Sequence, residues 1–172
     1  LVLSDHSLIT WTELVTYFRD INIATKNNLY ISLASCHGRY LYEGVDPELK
    51  SPYSGYISAS KEVLVDEIIE NFSEMFISLI EQGNLIEAYL STSTGDSSFF
   101  YKDSKATFED LMVITKYRMK NDPSYKEEVF DNAIFRHGIK MGLVTQDDLD
   151  LMMESAFVDI YERHKKAFEF NN

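Results

Sequence analysis

The run Leu29-Tyr30-Ile31-Ser32-Leu33-Ala34-Ser35 constrains this chain most. Apolar side chains stand on both of its alternating faces, β-preferring residues dominate, and the polar stretch Thr25 to Asn28 precedes it. A strand with two apolar faces needs cover on both sides, which predicts a central place in a sheet layered between helices.

Its neighbours extend that expectation. Leu1 to Leu3 reads as a short strand, and Ser4-Asp5-His6-Ser7 as a turn before Leu8-Ile9. Thr10-Trp11-Thr12-Glu13 carries the capping-box pattern, and Leu14, Tyr17, Phe18 and Ile21 follow at helical spacing, predicting a helix from Thr10 to Asn22. "GYISAS", from Gly55, is a second strand. Strand, helix, strand is the α/β order, and it predicts a mostly parallel sheet with Tyr30 to Ser35 at its centre.

Val65, Ile68, Ile69, Phe72, Met75, Phe76, Leu79 and Ile80 form one apolar stripe ending at Gly83, which predicts a core helix over about Val63 to Gln82. "LIEAYLST" reads as a strand by residue type, and "SSFFYK" as one more. From Thr107 the pattern is a helical tail, with cap pairs Thr107/Asp110, Ser124/Glu127 and Thr145/Asp148. The last helix carries Leu149, Met153, Phe157, Ile160 and His164 along one face. No repeat or linker divides the 172 residues. One domain is expected, with an α/β part over 1–106 and a helical extension over 107–172.

The chain holds 28 acidic and 16 basic residues, a net charge of −12, and Lys165-Lys166 is its only adjacent basic pair. Phosphate backbones and anionic membrane surfaces are thereby excluded as expected partners. No run approaches the roughly 18 apolar residues of a membrane span. One cysteine makes no internal disulfide, and four scattered histidines add no zinc motif, so neither metal nor other cofactor is expected and the reducing cytoplasm is the expected compartment. The opening "LVLSD" lacks an initiator methionine, which marks the chain as an expected fragment.

Cys36 stands at the carboxyl end of the Tyr30 to Ser35 strand, where α/β sheets place their reacting groups. A thiol nucleophile requires a base, usually histidine. His37 is adjacent, but neighbours on an extended chain face opposite ways. His6 sits in a turn, and His137 and His164 fall in helices as surface or boundary residues. The competing reading of Cys36 is a small core residue, since cysteine is among the most buried residue types.

The turn, the helix "ITWTELVTYF" and the strand "LYISLAS" ending in Cys36-His37-Gly38 resemble the caspase and hemoglobinase-like cysteine peptidases, which include caspases, gingipains, clostripain and bacterial CHAT domains. The resemblance covers about Leu1 to Ser60 and extends to uncharacterised bacterial caspase-like proteins with a "SPYSGYISASKEV"-like stretch. It implies a caspase-like sheet, Cys36 as nucleophile, and a protein or peptide substrate cleaved through a thioester. It also implies a catalytic His-Gly pair upstream of Leu1, and a primary specificity pocket built partly by Pro52 to Lys61. Asp46, Glu48, Lys50 and Lys61 are the charges that would set that pocket's preference. The alternative is a non-catalytic α/β domain acting as a protein-interaction or regulatory module, with Cys36 structural.

Overall fold

The computed structural model describes residues 6–36, 38–92, 98–124, 127 and 146–170, the side chains of 92 and 146–150 excepted. The strand expected at Leu1 to Leu3, the body of the helix expected after Ser124 and the Thr145 cap lie outside them.

Helix α1, Trp11–Ala24, begins as its sequence predicts. The Thr10 hydroxyl accepts from the Glu13 amide at 3.2 Å, and the Glu13 carboxylate accepts from the Thr10 amide at 2.8 Å. This reciprocal pair satisfies amides that the first helical turn leaves free. After α1, Lys26 and Asn27 turn the chain through positive φ into β1, Tyr30–Leu33. A 3-10 helix, Gly38–Gly44, and an irregular stretch lead to β2, Gly55–Ala59. There follow α2, Val65–Gln82, α3, Leu85–Thr92, β3, Phe99–Asp103, α4, Ser104–Asn121, and α5, Gln146–Phe168.

The fold is mixed α/β, and so is its sheet, in the order β1-β2-β3. β1 runs parallel to β2 with Ile31 opposite Tyr56, and β3 runs antiparallel with Tyr101 opposite Ile57. The central strand is therefore β2, all of whose residues are buried, and not the Tyr30 to Ser35 run. That run holds an edge of the described sheet. Its Ile31 is buried, while Tyr30 and Ser32, on the opposite face, are exposed.

Two apolar layers sandwich the sheet. On one face Ile31 and Tyr56 join Val15, Leu41, Phe108, Met112 and Phe168, with Phe100 and Tyr161 packed around them. The Tyr53, Tyr56 and Phe100 rings pack in sequence at 4.9 and 5.4 Å, and Phe108 lies 5.4 Å from Phe168. α4 and α5 thus share a core with α1 and the sheet. On the other face Ile57, Ala59 and Phe99 meet Phe72, Met75 and Ala88 of α2 and α3.

Two local expectations are corrected. "LIEAYLST" is helix α3, because the Asn84 carboxamide oxygen caps it, accepting from the Ile86 and Glu87 amides at 2.9 and 3.3 Å. Thr107 is no cap: α4 begins earlier, where the Asp103 carboxylate accepts from the Ala106 amide at 2.7 Å. Thr107 is instead fully buried, and its hydroxyl lies 3.2 Å from that of Tyr53. Among the described residues no helix is long and apolar enough to cross a membrane.

Candidate functional site

Two places on the scaffold carry candidate chemistry: the carboxyl end of β1, and the groove between β1 and the α2–α3 turn.

At the first, Cys36 is exposed, and its thiol donates to the Val63 carbonyl at 3.6 Å, linking the end of β1 to the approach to α2. Two residues on, a Cβ at Gly38 would stand 1.8 Å from the Ser58 hydroxyl oxygen and 3.0 Å from the Ser58 Cβ, so any side chain there would force Ser58 to move. Ser58 donates to the Leu33 carbonyl at 3.3 Å, while the buried Ser35 hydroxyl has no hydrogen-bond partner among the described residues. The thiol is open to reagents from solvent. Its neighbour, however, is a carbonyl oxygen, which accepts a hydrogen bond without removing the proton, so activation requires a base from elsewhere.

The described histidines are placed otherwise. His6 is exposed in a left-handed turn conformation. His164, expected at the surface or boundary, is buried, with its Nε2 3.0 Å from the Glu48 carboxylate and its Nδ1 without a partner among the described residues. The reason is the face of α5 that packs inward: Phe157, Tyr161, His164 and Phe168 recur at helical spacing, so the ring follows its aromatic neighbours into the core. Arg163 approaches the same Glu48 at 3.8 Å. His37 and His137 lie outside the described residues.

The stretch Pro52 to Lys61 is mostly core, since Pro52, Tyr53 and the whole of β2 are buried. Of the charges near it, Asp46 caps the Glu48 amide at 2.8 Å, and Lys50 donates to the Glu169 carbonyl while its ammonium lies 5.4 Å over the Phe170 ring. Lys61, past the end of β2, is exposed.

The second place was not legible as a site. α2 and α3 cover β2 and β3, leaving the outer face of β1 open, and the space between is a groove of about 510 Å³ lined by Tyr30, Ser32, Phe76, Leu79, Leu85 and Ile86. From this groove an apolar band runs back along α2. Phe72 and Met75 are buried, but Val65, Ile69, Phe76 and Ile80, one helical face at spacings of four, seven and four, stand in water. Ile80 is 84% exposed and Ile69 58%. The sequence signal was present: each of Val65, Ile69 and Ile80 is followed at once by an acid, Asp66, Glu70 and Glu81, and no lysine or arginine occurs between Glu62 and Tyr101.

Among the described residues no three His, Cys, Asp or Glu side chains converge on a point that would hold a metal ion. Set against protein families, curated proteins and solved structures, the chain matches none.

Proposed function

We propose that this chain is a protein-binding module, a small α/β scaffold that presents its α2–α3 pair to a partner. One observation carries the reading: the apolar stripe of α2 is wider than the sheet surface it covers, and the surplus half, Val65, Ile69, Phe76 and Ile80, faces solvent. Burying one such side chain is worth about 1.5–3 kcal/mol, and contiguous exposed apolar surface of this kind marks interaction sites.

The experiment is a paired substitution, Ile69→Ser with Ile80→Ser. A docking face that contributes nothing to the fold should leave stability within about 0.5 kcal/mol of the parent and reduce the binding of a hydrophobic dye. Destabilisation by more than about 2 kcal/mol would mean that these residues pack within the chain itself, and the reading would fall.

A second reading, a cysteine peptidase of caspase-like type, is favoured by the exposed Cys36 thiol at the carboxyl end of β1, a strand parallel to β2. In it the Cys36 sulfur attacks a peptide carbonyl, and the amine leaves with a proton supplied by a histidine. Water then hydrolyses the thioester to an acid and restores the thiol. Loss of peptide cleavage on Cys36→Ala, with the fold intact, is the result that this reading requires.

A further inference from the structure

We infer that the α2–α3 face takes a basic amphipathic helix of another protein, an inference that rests on the docking reading above and specifies its partner. Length supports a helical occupant. Val65 to Ile80 spans about 22 Å at the helical rise of 1.5 Å per residue, enough for four turns of a partner laid along it. The band ends in the 510 Å³ groove beside Phe76, Leu79, Leu85 and Ile86, which is large enough for a bulky anchoring side chain. An apolar stripe leading into a pocket is the receptor half of helix-in-groove recognition.

Charge decides which helix. Asp66, Glu70 and Glu81 follow Val65, Ile69 and Ile80 by one position, a turn of about 100° that sets them on the solvent-side border of the band. Glu74 and Glu87 add to the same sign, and all five are exposed. No positive charge interrupts them, since the sequence from Glu62 to Tyr101 has no lysine or arginine. A second copy of this chain would set these carboxylates against their own equivalents across a two-fold contact, an unfavourable arrangement. Anionic lipid is opposed by the same field. Lysines and arginines bordering an apolar stripe are its complement, and they would steer association in a salt-dependent way.

The test uses the full chain and three labelled helical peptides of about 18 residues, each with leucines at i, i+3, i+4 and i+7 and with Lys, Gln or Glu at the remaining positions. Fluorescence anisotropy should show the Lys peptide binding at least about tenfold more tightly than the Gln peptide, with the Glu peptide not binding, and the preference should shrink at high salt. Glu70→Lys with Glu81→Lys should reverse the order of the Lys and Glu peptides. Ile69→Ser with Ile80→Ser should weaken the Lys peptide about tenfold or more. Equal binding of the Lys and Gln peptides, abolished by the isoleucine substitutions, would overturn the basic partner and leave the docking reading standing. A dimer in sedimentation that Ile80→Ser dissolves would assign the face to a second copy and overturn the inference. If no peptide binds and the chain is monomeric, the inference and the docking reading fall together.

Discussion

Asn22 on α1 donates its side-chain amide to the Ser51 carbonyl at 2.9 Å, across 29 residues of chain. The same carboxamide accepts from the Leu29 amide at 3.0 Å, so one fully buried side chain sets both the entry to β1 and the approach to β2. One turn earlier, Arg19 donates to the Lys50 carbonyl at 2.9 Å. Asn22→Ala should strand the buried Ser51 carbonyl at about 1–3 kcal/mol, and the part-buried Leu29 amide at less. Asn22→Asp should also destabilise, because a carboxylate cannot donate to Ser51. Urea denaturation should show a lower midpoint at unchanged slope, and a shift worth less than about 0.5 kcal/mol in both variants would show that the clamp is dispensable.

Gly38 and Ser58 form a second coupled pair. A Cβ on Gly38 would lie 1.8 Å from the Ser58 Oγ and 3.0 Å from its Cβ. Gly38→Ala should destabilise by about 1–3 kcal/mol through overpacking. Adding Ser58→Gly removes both obstructing atoms, so the double variant should lose less than the sum of the two single losses. Strict additivity in the cycle would show that the crowding is relieved elsewhere.

What the sequence disclosed divides by range. The Thr10/Glu13 capping box and the Gly83 terminus of α2 were legible because a few adjacent residues make them. The place of β1 was not, since apolarity on alternating positions does not report how many strands flank a run, and Tyr30 carries a ring that tolerates water on one side. Residue type misled at "LIEAYLST", where the Asn84 cap outweighs the β preference of Ile86 and Tyr89. Thr107 matched a cap pattern, but Asp103 lies nearer the end of β3 and claims the helix start. For the candidate sites, the place of Cys36 at a strand end was readable, and its lack of a described histidine partner was partly readable too. The open half of the α2 stripe was signalled only by the acids after Val65, Ile69 and Ile80 and by the run without lysine or arginine from Glu62 to Tyr101, because eight apolar residues on a helix look the same whether or not a sheet covers them all.

The buried phenols make stability sensitive to alkali. Burial pushes Tyr101 up to about 12, and burial likewise holds Tyr53 and Tyr56 well above the ordinary tyrosine range. A group whose folded pKa is raised contributes its stability fully below the unfolded value of about 10, and loses it as pH rises toward the folded value. Stability should therefore fall between about pH 10 and 12, with tyrosinate absorbance from these residues appearing together with the loss of circular dichroism. Tyr53→Phe and Tyr56→Phe should each remove amplitude from that cooperative step. Ionisation of these phenols in a chain that keeps its full dichroism would contradict the burial.

Cys36 is the residue on which the two functional readings separate. Its thiol is exposed, and among the described residues its one hydrogen bond is a long one to the Val63 carbonyl, so Cys36→Ser should leave stability within about 0.5 kcal/mol of the parent. Iodoacetamide should alkylate it to completion in the folded chain without denaturant; a thiol that reacts only after unfolding would mark it as a core residue and end the peptidase reading. Given a reactive thiol, the decisive comparison pairs peptide hydrolysis with peptide docking in the same preparations. A binding module predicts that Cys36→Ala binds the basic helical peptide as the parent does and that neither protein cleaves a mixed peptide library. A peptidase predicts cleavage by the parent that Cys36→Ala abolishes. Because Ile69 and Ile80 lie on α2 and Cys36 at the end of β1, the isoleucine and cysteine variants should each remove one activity and spare the other if the scaffold carries both.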